Sequence, residues 1–162
     1  HGCAIGGLSV GEPAEDMYRM TEAVTEVLPR NQFRYLMGVG TPTNILESIA
    51  RGVDLFDCVM PSRNARNGML FTWNGIINLR NRKWRSDLSP LDAQSPLAED
   101  QTYSKAYLAH LFQCHEMLGP RLATLHNLHF YLELTRTARQ HLLAGDFSDW
   151  KDEVLPRLSQ RL

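Results

Sequence analysis

Between Arg34 and Met60 the chain reads as strand, short helix, strand, and few folds can accommodate that order. Arg34–Val39 (RYLMGV) is a short apolar run closed by Gly38 and Gly40. Thr41 is a helix N-cap with Pro42 at the first helical position. Ile45 and Ile49 give the helix a buried side, Gly52 ends it, and Val53–Met60 is apolar again. Two strands joined through a helix must run parallel, with a right-handed crossover. The fold class is therefore α/β. In such units the working residues collect at the C-terminal ends of the strands, which here are Gly38–Asn44 and Asp57–Arg66.

Along Val53–Met60, alternation puts Val53, Leu55, Asp57 and Val59 on one face and Asp54, Phe56, Cys58 and Met60 on the other. Asp57 thus lies on the inner rim of a β/α sheet, with Phe56 and Met60 under the helices. A carboxylate there suits covalent or acid/base chemistry; it equally suits a structural acid that caps a loop or pairs Arg63. The amide-rich, basic segment behind it reads as a loop. From Met60 to Ser86 there is no acidic residue, yet the window holds Arg63, Arg66, Arg80, Arg82, Lys83 and Arg85, with Trp73 and Trp84 interleaved. Either this is a solvated face, or the cations and the stacking indoles meet RNA or another polyanion. Within the strip, LFTW, Asn74-Gly75 and IINL predict a hairpin with Asn-Gly as a two-residue turn.

The rest of the chain is consistent with one domain-sized unit of mixed structure. Cys3–Leu8 (CAIGGL) is a strand end meeting a Gly-Gly turn, serving either a ligand or an ordinary tight turn. Pro13 opens a helix in which Met17, Met20, Val24 and Val27 share one face. After a polar loop with Pro90 and Pro96, helices are expected over Tyr103–Leu118, Arg121–Ala144 and a last amphipathic segment around Trp150, Val154 and Leu158. His126 and His129 lie one turn apart and take packing or capping roles, because no cysteine or second histidine pair stands at ligand spacing. With 17 basic and 18 acidic residues, net charge argues for no partner class. Three scattered cysteines form no disulfide framework, and no apolar run is long enough to span a bilayer. A cytoplasmic protein without membrane contact is expected. A first residue His1 that runs straight into a glycine-rich stretch suggests a piece of a longer protein.

Four segments together, IGGLSVGEP (Ile5–Pro13), RYLMGVGTP (Arg34–Pro42), GVDLFDCVMPSRNARNG (Gly52–Gly68) and LHNLHFY (Leu125–Tyr131), resemble the bacterial tRNA-guanine transglycosylases, or queuine tRNA-ribosyltransferases, in order and spacing. The resemblance implies the C-terminal part of a β/α (TIM-type) barrel with an inserted β-hairpin and a helical C-terminal subdomain. Residues 1–69 would be the last barrel units, 70–102 the RNA-facing hairpin and loop, and 103–162 the helical part. It implies a pentosyltransferase that exchanges the wobble guanine of tRNA for a 7-deazaguanine base, a precursor of queuosine. Asp57 then matches the nucleophile, attacking the ribose C1′ as the carboxylate of a retaining glycosidase does. Gly7, Leu8 and Met37 match the base pocket. Gly38, Val39, Gly40, Thr41, Pro42, Thr43 and Asn44 match one RNA-contacting segment, and Ser62, Arg63, Asn64, Ala65 and Arg66 another.

The resemblance also implies features that this chain lacks. The family's structural zinc is held by three cysteines and a histidine. Ser95, Leu97 and Asp100 stand at the cysteine positions, and only His126 matches its ligand, so no metal or other cofactor is expected. The family's proton-handling and base-reading residues precede the segment present here, and three strands fall short of a barrel's eight. The expected partners are tRNA, the deazaguanine base and, in the full-length protein, a second copy of the chain; this chain alone is expected to be inactive. The alternative is a non-catalytic tRNA-binding or dimerisation partner, which would have no need to keep Asp57, Arg63 and Arg66.

Overall fold

The parallel unit anticipated between Arg34 and Met60 is present and has a third strand in front of it. The computed structural model describes residues 1–162, in two compact units, His1–Met60 and Pro61–Leu162. In the first, β1 (Gly2–Ile5), β2 (Phe33–Leu36) and β3 (Leu55–Phe56) form a parallel sheet in that order. Helices α1 (Ala14–Val27) and α2 (Pro42–Ala50) are the crossovers. The register aligns Ile5, Leu36 and Phe56 on one face and Ala4, Tyr35 and Leu55 on the other. The first face packs with Met17, Val24 and Leu28 in a small core. The opposite face is open: Phe33, Leu55 and Val59 are each about half exposed or more.

α2 starts as its sequence requires. The Thr41 hydroxyl accepts the Asn44 amide at 3.1 Å, and Pro42 fills the first position, where no N–H is needed. α1 buries a different stripe from the one expected. Met17, Thr21 and Thr25 face inward, while Met20 and Val27 are exposed. The two threonines can be buried because their hydroxyls donate to the helix's own carbonyls, Met17 O at 2.8 Å and Glu22 O at 3.0 Å. A count of apolar residues alone overlooks that option. The strand expected over Val53–Met60 is also shorter. Only Leu55–Phe56 pairs with β2, and the chain turns into helix α3 (Met60–Arg66) where a loop was expected.

In the second unit, β4 (Met69–Thr72) and β5 (Gly75–Asn78) form an antiparallel pair. The turn residues are Trp73 and Asn74, one position earlier than the Asn-Gly reading. Thr72 pairs with Gly75, and the Thr72 hydroxyl spans the turn, donating to Gly75 O at 2.8 Å. Gly75 is required for a separate reason. At φ 137° a side chain would be strained, and a Cβ would stand 2.6 Å from Gln160 O, where the end of the chain runs along β5. Ile76 and Leu162 exchange backbone bonds with that end, Ile76 N to Gln160 O and Leu162 N to Ile76 O.

A 3₁₀ turn (Arg82–Ser86) and α4 (Ala98–Thr102) flank the loop that leads to α5 (Lys105–Gln113), α6 (Leu118–Ala144) and α7 (Phe147–Ser159). Gly119 lies within α6 rather than ending the preceding helix. The break between α5 and α6 falls at His115, at φ 56°. The core joins Leu70, Ile77, Leu79, Trp84, Leu108 and Ala123.

β4 would be an edge strand with unsatisfied backbone groups, and α6 satisfies them through two side chains. Asn127 donates to Pro61 O at 2.9 Å and Met69 O at 3.1 Å and accepts the Phe71 amide at 3.1 Å. His126 donates from Nε2 to Phe71 O at 2.7 Å. Both residues are fully buried. Buried backbone groups must find partners, and here a helix supplies what a neighbouring strand ordinarily would.

Candidate active site

Asp57 follows β3 directly, on the open face of the sheet, two residues beyond Leu55. The Tyr35 hydroxyl donates to its Oδ1 at 2.6 Å, and the Gly38 amide donates to the same oxygen at 3.1 Å. Tyr35 reaches it because the parallel register places Tyr35 beside Leu55. Gly38 offers its amide from a left-handed conformation (φ 73°) at the end of β2. The Tyr35 hydroxyl, and after it the Gly38 amide, hold the Asp57 carboxyl below the usual carboxylate range, and the same bond raises the Tyr35 phenol. Both bonds go to Oδ1, so Oδ2 remains available. The arrangement maintains an exposed, ionised carboxylate at the C-terminal end of a parallel sheet, which suits nucleophilic attack at an electron-poor carbon.

The other expected residues of this unit follow β1 and β2 or open α2. Gly7 is at φ 77° with open space on its Cβ side. Leu8 packs beside the small core. Met37 is exposed, and its Sδ would stand 3.3 Å from a Cβ placed on Gly6. Val39 and Pro42 are buried, so they could offer only backbone to a ligand. Gly40 is required by contact, since a Cβ there would lie 2.6 Å from both Cβ and Sγ of Cys58. Burial pushes the Cys58 thiol up, away from the thiolate. Asn44 uses its side-chain oxygen to accept the Tyr18 hydroxyl at 2.7 Å. Thr41 is the cap already described, and Thr43 is half-buried in the first turn of α2. Sequence reasoning missed Tyr35; the available signal was its place in β2, one strand over from the acid.

The second unit carries Ser62–Arg66 on α3. Arg63 and Arg66 are exposed, Ser62 and Asn64 half-buried, and Ala65 fully buried. Arg80, Arg82, Lys83 and Arg85 are also exposed. None of these six cations is paired with a carboxylate, whereas Lys105, Arg136 and Arg157 of the same unit each have an acidic partner. The two indoles are not free stacking platforms, contrary to the sequence expectation. Trp84 belongs to the core, with the Lys83 and Lys105 ammonium groups 4.6 and 5.7 Å from its ring, and Trp73 packs edge-on to Phe130 at 5.4 Å. Apolar area in a small core outweighs exposure for so large a side chain.

The family model described as queuine tRNA-ribosyltransferase matches residues 1–160. The chain belongs to the queuine tRNA-ribosyltransferase family. It is 49% identical over 161 residues to the queuine tRNA-ribosyltransferase of Aquifex aeolicus, covering 99% of this chain and 43% of that protein. Against the proteins of the same name from Francisella tularensis and Actinobacillus pleuropneumoniae it is 51% identical over 154 residues and 47% over 161. These alignments cover 95% and 99% of this chain and 42% of each relative. The chain thus spans less than half the length of these relatives. No helix is long and apolar enough to cross a membrane.

The residues at the zinc positions that the resemblance implies do not fit the ion. Ser95 and Leu97 carry no thiolate, and the Ser95 hydroxyl accepts the Leu97 amide at 3.2 Å. His126 already has both ring nitrogens engaged, with Asp100 and with Phe71 O. No group of three or more His, Cys, Asp or Glu side chains is placed to hold a metal. A structural zinc needs four such ligands.

Proposed function

We propose that this chain is the nucleophile-bearing part of a tRNA-guanine transglycosylase. The observation that carries the reading is the Asp57 carboxylate, kept charged and exposed by Tyr35 and Gly38 in a chain of this family. Asp57 Oδ2 attacks C1′ of the wobble ribose. The bond from C1′ to guanine breaks, the electron pair leaves with the base, and an aspartyl-ribosyl ester remains. A 7-deazaguanine base then attacks C1′ through its ring nitrogen, gives up the proton on that nitrogen and releases the carboxylate. The proton taken up by the departing guanine and the one given up by the incoming base would be handled by groups other than Asp57.

Gly7, Leu8 and Met37 would line the base pocket. In the first unit the Gly38–Asn44 backbone would contact the tRNA; in the second, the exposed Arg63 and Arg66 would do so, and the unpaired cations from Arg80 to Arg85 would face RNA phosphates. The open apolar face of the sheet supports a barrel completed by further strands, with residues 1–69 as its last units, the β4–β5 segment as an RNA-facing insertion and the helices as a subdomain. A leucine row on α6 supports a homodimer. Leu118, Leu125 and Leu128 are exposed along a groove of about 640 Å³ that also holds Arg121 and Glu99, charges of both signs that suit a second copy, and Leu132 is exposed further along the same helix.

The test is a denaturing gel for RNA-linked protein. It uses the chain as it stands and a chimera that adds the remaining segment of the Aquifex relative. An adduct formed with the cognate tRNA by the chimera and lost in Asp57→Asn supports the reading. No adduct with the unsubstituted chimera, or one that survives Asp57→Asn, overturns it in favour of a non-catalytic tRNA-binding partner.

A further inference from the structure

His126 is 1% exposed and Asp100 2%, and they meet at 2.7 Å, Nδ1 to Oδ2. The second ring nitrogen meets Phe71 O, also at 2.7 Å. A carbonyl oxygen can only accept, so Nε2 must carry a proton. Nδ1 and the Asp100 carboxyl share the other hydrogen bond, so both ring nitrogens are engaged.

We propose that the buried His126, hydrogen-bonded at once to Asp100 and to the Phe71 carbonyl, joins three elements at one point and does so without metal. β4 contributes the Phe71 carbonyl, α4 contributes Asp100, and α6 contributes His126. A polar side chain buried this deeply is costly unless it is hydrogen-bonded, and both ring nitrogens of His126 are. The neighbouring loop is arranged to need no ion either. The Gln101 amide donates to the carbonyls of Ser95 at 2.9 Å and Asp92 at 3.2 Å. Buried Asp92 accepts the Gln94 amide at 3.0 Å and the Trp73 amide at 3.3 Å. The residues that stand where the family's thiolates would be are thus closed by hydrogen bonds made within the loop and by one hydrogen bond to α6.

The inference is independent of whether Asp57 is catalytic, and its test needs no activity. The whole chain, purified from zinc-supplemented cells, is expected to carry no stoichiometric zinc and to keep the same thermal midpoint with and without a strong chelator. In a nitrogen-15 spectrum, His126 Nε2 should show the shift of an N–H-bearing nitrogen, assigned by its loss in His126→Gln. The spectrum is read on the unsubstituted protein, so a poorly folding variant does not block the result. One zinc per chain that a chelator removes together with stability overturns the proposal. So does an Nε2 that carries no proton to donate to Phe71 O.

Discussion

Replacing Asn127 by leucine should be among the most damaging single changes in the Pro61–Leu162 unit. The side chains are similar in size, and the residue is fully buried, so the perturbation is almost purely one of hydrogen bonding. It strands Pro61 O, Met69 O and the Phe71 amide at once. Each orphaned buried group costs about 1–3 kcal/mol. Allowing for relaxation and for the leucine's own burial, the sum is about 3–6 kcal/mol. Domains of this kind are stable by roughly 5–15 kcal/mol, so the variant would be close to unfolded at ambient temperature. All three tryptophans, Trp73, Trp84 and Trp150, lie in this unit, so urea unfolding followed by indole fluorescence reports on it selectively. Hydrogen exchange at the Phe71 amide should accelerate in parallel. Asn127→Asp retains the acceptor for that amide and loses both donors, so its exchange should stay slower than in Asn127→Leu. A loss below about 1 kcal/mol for Asn127→Leu, in the range of an ordinary surface change, would refute the reasoning.

Three further outcomes are expected. Gly40→Ala forces a Cβ to 2.6 Å from Cys58 and should destabilise by about 1–3 kcal/mol as an overpacking change. Calorimetry should show Cys58→Gly relieving it in the double variant; purely additive losses would count against the clash. Tyr35→Phe should raise the Asp57 midpoint towards the ordinary aspartate value in a carboxyl-carbon NMR titration. Because the folded value is depressed, the stability that Asp57 contributes is present above the unfolded aspartate range and lost as pH falls through the folded value. Tyr35→Phe should shrink that acid-side loss, and an unmoved midpoint would dismiss Tyr35 as its cause. Arg63→Gln with Arg66→Gln should weaken binding of an anticodon stem-loop and lower the salt slope by about 1–2. An unchanged slope would place the RNA phosphates elsewhere.

The parallel sheet was legible because Gly38, Pro42 and Gly52 punctuate strand, helix and strand at the required lengths. Asp57 was legible as a residue on the open face because alternation survives the shortening of β3: Leu55, Asp57 and Val59 are exposed while Phe56, Cys58 and Met60 are half-buried. What escaped depended on partners distant in sequence. Tyr35 gains its role only from the register of two strands. Thr21 and Thr25 could be buried only through bonds inside their own helix. The turn at Trp73-Asn74 took a register that the Asn-Gly pair does not reveal, because the end of the chain requires Gly75 where it stands. Trp73 and Trp84 suggested a stacking surface while they stood only in sequence, but packing in a small core decided their place.

The tie between α6 and β4 has an evolutionary consequence. His126 and Asn127 grip main-chain atoms of Pro61, Met69 and Phe71 and, on that strand, read no side chain. Positions 69 and 71 can therefore drift through many side chains while the grip survives, provided each new residue still packs. Positions 126 and 127 have no such latitude, since each supplies donors or acceptors that no apolar residue can mimic. Substitution tolerance across this contact should be one-sided, permissive along the strand and strict along two successive residues of the helix.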